Sequence, residues 1–225
     1  MLSEQEIRMD DSPYTPPESD LEKNRLLPKG FNDKNLSSRK LFIAGCISLF
    51  MIVLDIVSYF LSILSSAPTA SLKNEYYAVA MLAIACSIYL LIMLKKFLHL
   101  RFRSNDADLY ISILIVINLI SLVLIFASST DNQSLRSTLA IVNILALCPI
   151  GIVLILFGLK LKSLPAYPGL RFYAWSTIAA GIAYATIILF MLGFIIGILA
   201  NIPLALLMFT ASAEVARSAG PKDSP

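Results

Sequence analysis

Asp55 is the residue whose type and setting most demand a chemical explanation. It is the only acid or base in the apolar stretch 41–64. Inside a membrane-crossing helix an aspartate costs roughly 2.5–3.5 kcal/mol on insertion scales, so it needs a partner, a water-filled cavity or a bound cation. Asn118 and Asn201 fall at nearly the same expected depth in two other apolar stretches, and the three together form a candidate intramembrane polar site. If helices open onto water there, the carboxylate could ligate a proton or a cation. If they close on one another, the same residues would hydrogen-bond between helices, at about 0.6–2 kcal/mol per contact. The second role is favoured, because one carboxylate with no second charge in any span supplies no relay.

The run Lys95-Lys96-Phe97-Leu98-His99-Leu100-Arg101-Phe102-Arg103 interleaves cations with apolar residues directly after an apolar stretch. Lys95, Lys96, Arg101 and Arg103 are candidate anionic-lipid contacts, although anchoring of a span by positive charge explains the same residues. His99 is the only histidine, and Cys46, Cys86 and Cys148 all fall in apolar stretches without C-x-x-C spacing. A metal site and a disulfide framework are therefore not expected, and the cysteines read as packing residues. The chain contains no phosphate-binding glycine loop, no G-x-S-x-G and no H-E-x-x-H, so neither an enzyme nor a cofactor is expected. The cations are dispersed among short loops, which argues against nucleic acid as a partner. Pro149 and Pro203 interrupt two apolar stretches, where kinks are expected.

Positioning these residues falls to membrane helices. Of 225 residues, 57% are hydrophobic and 15% charged, and the mean hydropathy is +0.77; soluble domains carry roughly 25% charged residues. A span needs about 20 mostly apolar residues. Such windows lie at 41–64, 76–94, 109–129 and 138–159. The stretch 172–213 has no charge and would reach about 63 Å as one helix. It therefore reads as two spans, 172–192 and 195–213, joined by a turn around Gly193 and Gly197, where permissive backbone is useful. Gly193-x-x-x-Gly197 also matches the small-residue helix-packing motif, but a turn is the preferred explanation. The expected fold is all-α: a polytopic membrane bundle of six transmembrane helices arranged as three hairpins.

Basic residues set the direction of each span. Arg39 and Lys40, then Lys95 to Arg103, then Lys160, Lys162 and Arg171, and finally Arg217 and Lys222 all fall on one side. This places both termini in the cytoplasm. Residues 1–40, with Pro13, Pro16, Pro17 and Pro28 and many charges of both signs, read as a flexible cytoplasmic tail. Residues 214–225 form a second tail. No cleaved signal peptide is expected.

Within the first tail, Glu22-Lys23-Asn24-Arg25-Leu26-Leu27 is similar to an acidic dileucine sorting signal, which would imply a eukaryotic endosomal or lysosomal membrane. The segment Ser12-Pro13-Tyr14-Thr15-Pro16-Pro17-Glu18-Ser19-Asp20-Leu21 resembles the N-P-Y-x-P-P-x-x-D-L opening of small, mostly uncharacterised polytopic inner-membrane proteins of Gram-negative bacteria. Ser12 stands where that pattern has asparagine. This resemblance implies a bacterial inner membrane, the preferred compartment, and implies no activity. The expected function is an accessory or scaffold component of the membrane, whose partners are the lipid bilayer and a membrane protein or a second copy of the chain. The alternative is a small transporter or channel working through Asp55.

Overall fold

The computed structural model describes residues 36–65, 73–127, 133–186 and 188–218. Among them the chain forms six helices and no strand: α1 (Ser38–Ser65), α2 (Lys73–Phe102), α3 (Asp108–Ala127), α4 (Gln133–Lys162), α5 (Leu170–Ala185) and α6 (Phe190–Ser218). Five of them, all but α5, are long and apolar enough to cross a membrane. The protein is an all-helical integral membrane protein whose apolar helices contact the lipid bilayer.

Most helices run beyond the apolar windows. Helices α2 and α4 each have 30 residues, about 45 Å at 1.5 Å per residue, against about 30 Å of hydrocarbon. The surplus turns carry basic residues at the C-terminal ends: His99 and Arg101 on α2, Lys160 and Lys162 on α4, Arg217 on α6. Positive charge there faces the negative end of the helix dipole. At the other extreme α5 has 16 residues, about 24 Å, less than a full crossing.

Helix α5 ends at Ala185 and α6 begins at Phe190, so the chain reverses between them rather than around Gly193 and Gly197. Thr186 continues the helix ladder to Ile182 O, its hydroxyl donates to Ala183 O at 2.9 Å, and the Ile188 amide bonds back to Thr186 O. The described bonds of the bend involve no glycine. Gly193 and Gly197 are inside α6, and their missing side chains make room for Tyr184: a Cβ would lie 3.0 Å from its ring at Gly193 and 3.3 Å from its hydroxyl at Gly197. The motif serves helix packing after all.

Each helix packs on its neighbours in sequence and α1 packs on α6, closing a ring. The α4–α5 contact is the most extensive, and those of α3 are the thinnest. Glycine explains the former. A Cβ on Gly151 would lie 2.5 Å from Gly181 O, and one on Gly158 would lie 2.8 Å from Ala174 O. The two backbones therefore touch, as small residues permit.

The main buried cluster gathers at one end of the ring. It takes Leu36–Leu54 from the start of α1, Leu90–Leu98 from the end of α2, Leu114 and its neighbours from the start of α3, Phe157 and Leu161 from the end of α4, Ala174 from the start of α5, and Leu204–Val215 from the end of α6. These are the ends that carry the cations. Leu36 is fully buried and Ser37 Oγ accepts from the Lys40 amide at 3.3 Å, so residues 36–40, expected in the tail, belong to the bundle. Ser212 Oγ donates to Ser38 O at 2.9 Å, which joins the first turn of α1 to the last turns of α6. Residues 1–35 and 219–225, and with them the segments 12–21 and 22–27, lie outside the described residues.

Candidate functional site

Asp55 belongs to the inward stripe of α1. Leu41, Ala44, Ser48 and Met51 are buried at alternating three- and four-residue steps, and Asp55 is the next position, half-buried. That stripe faces α6. Ser48 Oγ donates to Asn201 O at 2.8 Å, two residues before Pro203, in the region where proline breaks the helix ladder. Asn201 in turn lines a cavity of about 80 Å³ with Met51, Ser87, Leu94, Tyr173 and Leu204. The amide of Asn201 and the hydroxyls of Ser87 and Tyr173 give it polar groups and room for a few waters. Asp55 stands one turn beyond Met51, within electrostatic reach of Tyr184 on α5, and among the described residues its carboxylate has no hydrogen bond or ion pair. Tyr59, one turn further, stacks on Phe194 of α6 at 5.3 Å.

Asp55 and Asn201 thus share the α1–α6 interface, whereas Asn118 does not join them. Its amide donates to Leu114 O of its own helix at 2.8 Å, and the main packing of α3 is on α2 and α4. Other hydroxyls in the spans do the same: Ser176 to Phe172 O at 2.9 Å, Thr177 to Tyr173 O at 2.8 Å and Thr210 to Leu206 O at 2.8 Å. Bonding to the preceding turn satisfies a hydroxyl within its own helix and leaves it little reason to seek a neighbour. Cys46 is exposed, Cys86 and Cys148 are half-buried, and all three are free thiols.

A second polar cluster sits at the basic end, and two of its key members, Tyr167 and Glu214, are not singled out in the sequence. Arg101 turns inward: its Nε lies 3.9 Å from Glu214 Oε2, with the two side chains 10% and 25% exposed. Its guanidinium is 5.7 Å from the centre of the Tyr167 ring. Phe97 and Phe102 wall the site, at 5.5 and 6.2 Å from the same ring. Burial, with Glu214 beside it, pushes the Tyr167 phenol well above its ordinary range, so it stays protonated through the physiological range. Tyr167 reaches this position because the α4–α5 loop closes tightly. Gly169 takes φ 79°, a left-handed conformation suited to glycine, and a Cβ there would lie 2.9 Å from Pro203 O. The signals available in the sequence were faint. Tyr167 stands between Pro165 and Pro168, and Glu214 is the only acid between Asp131 and Asp223.

The four candidate lipid contacts therefore separate. Arg101 faces the interior, and Lys95 pairs with Asp108 at 3.3 Å. Lys96 and Arg103 are exposed. His99 Nδ1 lies 2.7 Å from Asn105 Oδ1 and is exposed. No group of three or more His, Cys, Asp or Glu that could hold a metal occurs among the described residues. No family model, no curated protein and no solved structure matches the chain.

Proposed function

We propose that this protein is a non-enzymatic accessory or scaffold component of a membrane, acting through its helices on other membrane proteins or on copies of itself. One observation carries the reading: Asn118, Ser176, Thr177 and Thr210 spend their side chains on their own helix backbones, while the basic half closes over apolar side chains. Between the cavity at Asn201 and the basic end stand Leu94, Phe97, Leu98, Leu204, Leu207 and Met208, all buried, which leave a proton or cation no chain of ligands. The alternating basic loops support cytoplasmic termini, and residues 12–21 support a bacterial inner membrane. Helix α3 is the natural partner face, because it has the thinnest packing on its neighbours, with only 11% of its span buried, and Val116, Leu119, Ile120, Val123 and Phe126 are all exposed.

Proteoliposomes holding a pH-sensitive dye test this directly. Under an imposed pH gradient the expected proton leak equals that of protein-free vesicles and is unchanged by Asp55→Asn. A flux that Asp55→Asn abolishes without lowering the melting temperature would overturn the scaffold reading in favour of a transporter. A photo-crosslinker at Val123 should give a discrete adduct in native membranes, while one at exposed Phe60 on α1 should not.

A further inference from the structure

Two basic corners lie at the same end of the ring, and they differ in what their cations face. At the α2–α3 corner Lys95, Lys96, Arg101 and Arg103 stand among Asp106, Asp108 and Glu214, with Lys95 and Arg101 already in ion pairs. At the α4–α5 corner Lys160, Lys162 and Arg171 are all exposed, and no Asp or Glu occurs in the whole stretch between Asp131 and Glu214. Local anchoring of Tyr167 fixes this second corner. The tight loop that buries Tyr167 and Leu170 leaves Arg171 on the outer surface, and buried Leu161 leaves Lys160 and Lys162 facing outward on either side of it.

Beside these cations lie two exposed aromatic rings. Lys162 Nζ sits 4.2 Å from the centre of the Trp175 ring, inside the range of a cation–π contact, while Trp175 is 53% and Phe172 64% exposed. Aromatic rings at the surface of a membrane helix mark the interface with the headgroups, and Lys162 held over such a ring is held at headgroup depth.

We propose that Lys160, Lys162 and Arg171, with Trp175 and Phe172 beneath them, form a binding site for the headgroup of an anionic phospholipid. The phosphate and its neighbouring negative charge take the three cations, and the first acyl carbons lie against the two rings. The occupant is a lipid in place of a soluble anion because the site is half apolar and exposed beside a membrane-spanning face. Three exposed cations, none of them in an ion pair among the described residues, supply the charge complementarity, each adding about fivefold in affinity near an anionic surface.

Trp175 is the only tryptophan in the chain, so its fluorescence reports the site directly. The full chain is reconstituted in phosphatidylcholine bilayers containing phosphatidylglycerol, with one or the other lipid brominated in its acyl chains, and quenching gives their relative affinity next to Trp175. Phosphatidylglycerol should be preferred at least fivefold, and 0.5 M salt should bring the ratio close to one. Lys160→Gln/Lys162→Gln/Arg171→Gln should abolish the preference, while Lys96→Gln/Arg103→Gln should leave it intact. Equal quenching by the two lipids would overturn the proposal. So would a preference that survives high salt in the unmodified chain, a readout that holds even if the triple variant fails to fold. Displacement of phosphatidylglycerol by millimolar inorganic phosphate would overturn it too, and would assign the cations to a soluble anion.

Discussion

The basic half of the ring and the half that holds Asp55 are built on different terms. In the basic half large side chains such as Phe97, Phe157, Leu161 and Met208 are fully buried, helix backbones touch at Gly158, and Tyr167 and Arg101 tie three segments together. In the other half the buried residues outside the main cluster are mostly small, with Ala80, Ala180, Ala183 and Ala200 among them, Tyr184 fills the space left by Gly193 and Gly197, and the close backbone contact is that of Gly151 with Gly181 and Ala185 on the α4–α5 side. Lipid tails are as apolar as leucine, so burial against lipid and burial against protein differ little in hydrophobic terms, and close packing decides where a membrane bundle is stiff. The lesson is that hydropathy does not mark the core. Helix α3 has the highest hydropathy of the five long helices, 2.8, yet only 11% of its window is buried.

The largest effect should come from overfilling the tight half. Gly158→Leu would push a side chain into Ala174 O and the Ile178 backbone, neither of which can yield without moving α5. A loss of about 3 kcal/mol or more is expected, at or beyond the usual cost of overpacking, read as a collapse of the monodisperse peak after mild heating in detergent. Gly197→Ala meets only the Tyr184 hydroxyl at 3.3 Å and should cost less than about 1 kcal/mol. Equal losses for the two would erase the contrast between halves.

Next comes the inward arginine. Arg101→Ala leaves Glu214 with a buried oxygen and Tyr167 without its cation, and breaking a buried pair costs 3–5 kcal/mol. The 3.9 Å separation and the partial exposure of Glu214 argue for about 2 kcal/mol here. Arg101→Met with Glu214→Leu should recover most of that loss, because replacing both partners removes the stranded charge. Thermal melts of the three variants check it, and a double variant no better than Arg101→Ala would show that packing on Tyr167 matters more than charge. Smaller again is Lys95→Gln: its pair with Asp108 is at the surface, and an exposed pair contributes about 0.5 kcal/mol that added salt removes.

Much of this was legible in the sequence, and the misses have physical causes. Helix number and the common side of the basic loops follow from the length of apolar windows and the alternation of charge, because the bilayer imposes both. The α5–α6 turn was misplaced because the stretch 172–213 offers no polar break, and glycine serves close packing as readily as a bend. Thr186, which closes the turn with its own hydroxyl, looks like any other threonine in a span. That Asp55, Asn118 and Asn201 fall in apolar helices was legible, but their neighbours were not: which helices touch depends on side-chain fit around the ring, which periodicity along one helix does not encode. For the same reason Arg101 read as a lipid contact. Its inward turn depends on Glu214 and Tyr167, both remote in sequence.

The smallest expected effect belongs to Asp55 itself, and it bears most directly on the looser half. Hydrocarbon disfavours a charged side chain, and among the described residues no hydrogen bond or ion pair engages this one; Tyr184 is within electrostatic reach. Asp55→Asn keeps the shape and removes the charge. If the carboxylate merely occupies the α1–α6 interface, the substitution takes away a group that the surroundings do not favour and adds one they tolerate, so the melting temperature should hold or rise by a degree or two. Asp55→Leu separates this from a demand for polarity: it should also be tolerated if the half is loosely packed, because leucine is larger by little and the stripe it enters is apolar. A drop of several degrees for Leu with none for Asn would show that the cavity at Asn201 extends to Asp55 and holds water there, which would make the looser half a hydrated chamber instead of a dry helix contact.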